Sequence, residues 1–326
     1  MQLGVLNIRK GLLQVVIPVL RLFPPRTGAR LAASLGRMEY ALNRPLRLRY
    51  DAAIERGARH FGTSWNTKTL GSDLAGNSVR WRTRDLLLDG LSNERAALAF
   101  RVEGREHLDA AYGQRKGVVL LFNHFGAFLM PAHWMVREGY PLRWFTERPR
   151  HISKLVERTF EGEGPLSQAK LFMSRKAGTN EGGTAIRRAM RILQAGLVVQ
   201  IAGDVRGIGL RTASATFLGE TYSFTTTWIT LAARTQALVV PVFCSMEPDG
   251  SYRLEFLPAL DVGREGNRPG EQARLVQWYM REIEQRVGRQ PANSGEYFFW
   301  SHRDADWVHR VNTPAAGSGA PPSNKP

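Results

Sequence analysis

Two rhythms of apolar residues run along this chain. From about residue 99 onward, short unbroken apolar runs alternate with stretches in which apolar positions recur every three or four residues. The first rhythm is that of strands buried on both faces, the second that of helices with one apolar side. The clearest instance is residues 116–134. A run of β-formers, Val118 to Phe122, leads into Asn123, His124, Phe125 and Gly126, after which Met130, Trp134 and Val136 follow at helical spacing. Gly139 supplies a C-cap. The pattern predicts a strand that delivers His124 to the mouth of a helix. An imidazole there titrates near neutrality, and first-turn N–H groups are open to developing negative charge. Catalysis and turn-capping are both open to such a histidine.

The same alternation extends over the rest of the core. Strands are expected at 99–104, 142–147, 170–174, 197–204 and 238–243, with 252–257 as a hairpin partner after the Asp249-Gly250 turn. Helices are expected at 106–111, 183–194, 228–235 and 271–287. Strands alternating with helices give an α/β fold, a mainly parallel central sheet flanked by helices. Active sites of such sheets gather at the carboxyl ends of the strands. His124 and Asp204 both fall at expected strand ends.

Before this core the pattern is helical and basic. Residues 1–25 place Leu3, Leu6, Leu13, Ile17 and Leu20 on a broad apolar face with Arg9, Lys10 and Arg21, and Pro18 and Gln14 interrupt it. The uninterrupted apolar run is shorter than the roughly 20 residues a membrane span needs. An amphipathic helix lying on a membrane, or packed on its own domain, fits better. Residues 26–98 form a helical N-terminal region, with a break at Pro45 and two amphipathic stretches after residue 63, the second including Leu86 to Leu88. The α/β core then covers 99–310, and residues 311–326, mostly Pro, Gly, Ala and Ser, form a disordered tail.

Composition narrows the chemistry. With 326 residues, 43% hydrophobic, the chain can bury a full core, and 45 Lys plus Arg against 29 Asp plus Glu give a net charge of +16. That balance favours anionic lipid head groups or phosphorylated substrates. Nucleic acid ranks last, since no binding motif or basic and aromatic platform accompanies the charge. One cysteine, Cys244 in an apolar run, excludes an intrachain disulfide and a cysteine-rich zinc site, and reads as a buried inert thiol. The seven histidines are scattered without metal-ligand spacing. A phosphate-binding glycine loop and a serine nucleophile elbow are both missing.

Several separated stretches then resemble one family in the same order. They are Val-Glu-Gly-Arg-Glu-His-Leu (102–108), Lys-Gly-Val-Val-Leu-Leu-Phe-Asn-His-Phe-Gly (116–126), Glu-Arg-Pro-Arg (147–150), Gly-Leu-Val-Val-Gln-Ile-Ala-Gly-Asp (196–204), Phe-Leu-Gly-Glu-Thr (217–221), residues 231–241, and Tyr-Phe-Phe-Trp-Ser-His-Arg (297–303). Together they resemble the bacterial lipid A late acyltransferases of the lysophospholipid acyltransferase superfamily. The resemblance implies a glycerolipid acyltransferase-like fold and a membrane-surface enzyme at the cytoplasmic face of the inner membrane, peripheral or N-terminally anchored. Such an enzyme moves a fatty acyl chain from a thioester on acyl carrier protein or coenzyme A to a hydroxyl of an anionic glycolipid such as a lipid A precursor. It uses no cofactor or metal. The family's base is the histidine of a His-x-x-x-x-Asp/Glu motif, here His124.

The motif is incomplete, because Leu129 stands five residues after His124, where the acid would be. Three readings stay open. Asp204, which matches another family acid, replaces the missing one; His124 works without a carboxylate; or catalysis is lost and a lipid-binding or scaffold protein remains. His133 and Glu138 also satisfy the spacing, but inside a helix and beside its cap rather than at a strand end. The resemblance further implies that Arg148 binds a substrate phosphate, that Arg175 and Arg206 line the same mouth, and that Phe217, Gly219 and Thr225 shape the cleft. Phe217 has core packing as its other role, and His302 reads as structural.

Overall fold

The computed structural model describes residues 19–88, 91–147, 169–173, 181–207, 211–295 and 297–300. Most of the expected interfacial helix, the tail, and Arg148, Arg175 and His302 lie outside them. In chain order the elements are helices α1 (Pro25–Leu42), α2 (Arg44–Phe61), α3 (Thr67–Leu88) and α4 (Asn93–Ala97), strand β1 (Phe100–Glu103), α5 (Arg105–Gly113), β2 (Val118–Phe122), α6 (Met130–Arg137), β3 (Leu142–Glu147) and β4 (Lys170–Met173). There follow α7 (Glu181–Gln194), β5 (Val198–Ala202), β6 (Thr212–Phe217), β7 (Glu220–Thr225), α8 (Thr227–Thr235), β8 (Leu238–Met246), β9 (Tyr252–Phe256) and α9 (Pro269–Arg289).

Among the described residues seven strands form one sheet in the order β1-β9-β8-β2-β5-β3-β4. Of its described pairings, only that of β8 with β9 is antiparallel. The mainly parallel α/β sheet expected from the alternation is therefore present. β2 lies between β8 and β5, and all five of its residues are buried. Val119 and Leu121 face a core shared with α2, α3, α7, α8 and α9, while Val118, Leu120 and Phe122 face a second core with α5 and α6. Full burial of each Leu or Val contributes about 1.5–3 kcal/mol, which fixes the register of this strand firmly. Against β5 that register sets Val118 opposite Val198 and Phe122 opposite Ala202.

Four local expectations differ from the structure. The break between α1 and α2 is at Asn43, whose side chain accepts the Leu46 N–H at 3.1 Å. Pro45 sits in the first turn of α2, where it needs no N–H partner. The two stretches expected after residue 63 are one 22-residue helix, α3, with the short α4 after it. Gly71 and Gly76 do not break α3, because they serve close contacts with Tyr40 and Ala33 of α1. The β6–β7 hairpin was not expected as strands; Leu218 and Gly219 at its turn have φ of 51° and 81°. That geometry is what two-residue hairpin turns require, but Leu-Gly lacks the usual Asn or Asp. β8 runs on to Met246, three residues past the expected end.

Small residues also bring α1 onto α3: Ala29, Ala32, Ala33 and Gly36 are buried along one side of α1. A Cβ on Gly36 would stand 2.3 Å from the Ala75 carbonyl oxygen. Gly36→Ala gains about 1 kcal/mol of helix propensity but forces the crossing apart at a cost of about 1–3 kcal/mol. The expected outcome is a lower urea midpoint at unchanged slope. A variant as stable as wild type would show that the helices do not meet this closely.

Candidate active site

His124 and Asp204 meet because of strand register. Each lies two residues beyond the end of its strand, and Phe122 and Ala202 at those ends are paired. The His124 Nδ1 is 2.9 Å from Asp204 Oδ1, and the His124 backbone N–H donates to Oδ2 at 2.8 Å. Tyr297 completes the arrangement, its hydroxyl donating to Oδ2 at 2.8 Å. The Asp204 side chain is fully buried, whereas that of His124 is 28% exposed.

Burial alone would raise the Asp204 pKa. The charge of the His124 ring, its ring and backbone N–H groups and the Tyr297 hydroxyl outweigh that effect and hold the carboxyl below the usual carboxylate range. An ionised carboxylate only accepts hydrogen bonds, so Nδ1 carries a proton in the pair, and Nε2 is the ring nitrogen that holds the lone pair whenever the imidazole is neutral.

The segment after His124 is held by backbone groups rather than by a helix. Asn123 is buried at the end of β2 and accepts the Phe125 N–H at 3.0 Å, while its amide donates to the Tyr279 hydroxyl at 2.9 Å. Burial pushes the Tyr279 hydroxyl well above its ordinary pKa, so it stays protonated. The Gly126 and Ala127 N–H groups donate to Asn293 and Cys244 carbonyls. Gly126 has φ of 59°, and a Cβ there would lie 2.1 Å from the Cys244 oxygen. Cys244 itself is buried, which pushes its thiol well above the usual range.

The expected helix mouth at His124 therefore needs correction. α6 begins only at Met130, and the N–H groups of residues 124–127 are already bonded within the protein. Leu129 precedes α6 and is buried in the apolar core with Phe122 and Ala127. His133 is buried inside α6, and Glu138 pairs instead with Arg105 at 2.8 Å.

The His124 ring packs on Phe128, with centroids 4.6 Å apart, and borders a cleft of about 230 Å³ between α2, α3, the 124–128 segment and residues 292–299. The other expected cleft residues take different places. Phe217 is fully buried, edge-on to Tyr297 at 5.1 Å. Thr225 donates its N–H to the Val205 carbonyl, and Gly219 is exposed at the hairpin turn. Arg206 lies over the Trp300 ring at 4.4 Å. None of these four is among the described residues of the cleft wall. Tyr297, Asn123 and Tyr279 were missed from sequence; the signal for Tyr297 was its place at the head of the closing aromatic motif.

A histidine held by a buried carboxylate at the carboxyl ends of parallel strands, and bordering a cleft, places the protein among α/β enzymes. A family model for bacterial lipid A biosynthesis acyltransferases matches residues 86–304, and the chain belongs to that family. It is an acyltransferase. No match was found among curated proteins.

The depressed carboxyl has a consequence for folding. The Asp204 carboxylate stabilises the fold above the unfolded carboxylate pKa of about 3.9, and this contribution is lost as pH falls through the lower folded value. Asp204→Asn is expected to cost about 2 kcal/mol or more at neutral pH, and its gap to wild type narrows below about pH 4. Urea unfolding of both proteins from pH 7 to pH 3 measures this. A constant gap would mean that the carboxylate is not held ionised.

Proposed function

We propose that the protein transfers a fatty acyl chain from an acyl thioester, on acyl carrier protein or coenzyme A, to a hydroxyl of an anionic glycolipid such as a lipid A precursor. His124 acts as general base and Asp204 orients it. The observation that carries this reading is the 2.9 Å contact between His124 Nδ1 and Asp204 in a ring that borders the cleft. A hydroxyl is a weak nucleophile until a positioned base takes its proton during attack. The acceptor oxygen adds to the thioester carbonyl carbon as Nε2 takes that proton, and Asp204 stabilises the imidazolium. Collapse of the tetrahedral intermediate breaks the C–S bond, and the departing sulfur takes the proton back from His124. The non-catalytic reading rested on a histidine without an acid, and the Asp204 contact speaks against it.

His124→Ala is expected to lower acceptor-dependent thiol release by roughly 10²–10⁴-fold. Purified protein with an acyl thioester and a lipid A precursor, followed by thiol detection, reads this out. Unchanged release would sink the role of His124.

The proposal also sets the enzyme on the cytoplasmic face of the inner membrane, peripherally or through an N-terminal anchor. Among the described residues no helix is long and apolar enough to cross a membrane. The side of α1 away from α3 exposes Leu31, Met38 and Leu42, at seven- and four-residue steps, and Leu48 of α2 is also exposed. Arg30 and Arg44 are exposed nearby in sequence, so apolar insertion and attraction to anionic lipid are available together. Replacing Leu31, Met38 and Leu42 by Ser is expected to weaken sedimentation with phosphatidylglycerol vesicles at least about tenfold without lowering the melting temperature. Wild-type binding by the triple variant would remove α1 from the membrane contact.

A further inference from the structure

We propose that Arg49 of α2 and Arg82 of α3 form an anion site in the His124 cleft, which takes the phosphate of an acylated substrate. The inference rests on the acyl-transfer reading and adds the group that selects its substrate. Both arginines border the cleft that His124 borders, and its described wall contains no Asp or Glu.

Other arginines nearby are already engaged. Arg37 pairs with Asp73 at 3.0 Å, and Arg80 is buried with its guanidinium on the Glu247 and Ser251 carbonyls. The side chains of Arg49 and Arg82 make no ion pair or hydrogen bond with another described residue. Arg49 is held over the Phe299 ring at 4.9 Å, a contact that orients a guanidinium while leaving its N–H edge for an acceptor.

The rest of the wall matches the other half of such a substrate. Trp81, Phe128 and Phe299 give the cleft an aromatic surface suited to hydrocarbon. Cationic and apolar walls in one cleft fit a phosphate ester carrying an acyl chain, and guanidinium suits phosphate by its planar array of donors. Both arginines precede residue 86, where the family match begins. The N-terminal helices thereby supply the selectivity of a site whose base and acid come from the matched core.

A phosphate of this kind could belong to the acceptor or to the phosphopantetheine of the donor, and one experiment separates them. Binding of dodecyl phosphate and of uncharged dodecyl glucoside, both below micelle-forming concentration, is measured by titration calorimetry on wild type, Arg49→Gln, Arg82→Gln and the double variant. Wild type is expected to prefer the phosphate, and each substitution to reduce that preference about tenfold. Glucoside binding, which a misfolded variant would lose, stays unchanged. Steady-state kinetics then compare a phosphorylated with a dephosphorylated acceptor, and acyl carrier protein with an acyl N-acetylcysteamine donor that lacks phosphate.

The double variant is expected to raise KM for one phosphate-bearing substrate and leave the reaction of its phosphate-free counterpart unchanged, which names the source. The site is overturned if wild type shows no phosphate preference, if the double variant keeps it, or if neither KM responds. Absence of thiol release by wild type would sink the acyl-transfer reading, and the calorimetric comparison would still decide the anion site.

Discussion

The site depends on β2 and β5 running parallel with Phe122 opposite Ala202. Every chemical feature follows from that pairing, because His124 and Asp204 are each the second residue past a paired end. A slip of one strand by one residue would turn its apolar side chains toward the other core and carry one partner away from the other. The register is held by burial on both faces, so the same residues that stabilise the sheet fix the distance between His124 and Asp204. Gly203 fits this geometry: a Cβ there would press into the Tyr279 ring at 2.5 Å, yet its N–H must reach the Phe122 carbonyl.

A fully buried carboxylate is costly unless its lone pairs are satisfied. Asp204 receives three hydrogen bonds, two from His124 and one from Tyr297. The last of these explains the β6–β7 hairpin. Phe217 and Trp300 both pack against Tyr297 at 5.1 Å, and Tyr222 and Phe224 pack on Trp300. The hairpin thus acts on the site through the tyrosine and not by lining the cleft. The described cleft wall comes instead from α2, α3, the 124–128 segment, the end of β8 and residues between 292 and 299.

Much of the fold was legible in sequence, for a physical reason. Strands buried on both faces must be unbroken apolar runs, so β2, β5 and β8 announce themselves. The hairpin did not, because its exposed positions carry no such run and its turn lacks Asn or Asp. The unity of α3 was hidden because glycine reads as a breaker, and only the neighbouring helix shows why Gly71 and Gly76 are tolerated. At the site, Asp204 could be named as one candidate acid from its place at a strand end, but the pairing of β2 with β5 is a long-range fact that no local pattern carries. Tyr297 was hidden for the same reason, since its partner lies 93 residues away in sequence.

The position of Leu129 now has a physical account. It precedes α6 and packs among Phe122, Ala127 and Met130. A carboxylate in that place would lie in apolar surroundings, and the Nδ1 face of His124 is already occupied by Asp204. Two buried acids near one imidazole would leave one carboxylate without a cationic partner, and desolvation would drive it to take up a proton. An ionised Asp204 and an apolar residue 129 are therefore mutually consistent. The imidazole of His124 keeps one charged neighbour, which fixes its tautomer, and the apolar layer beneath the loop stays closed.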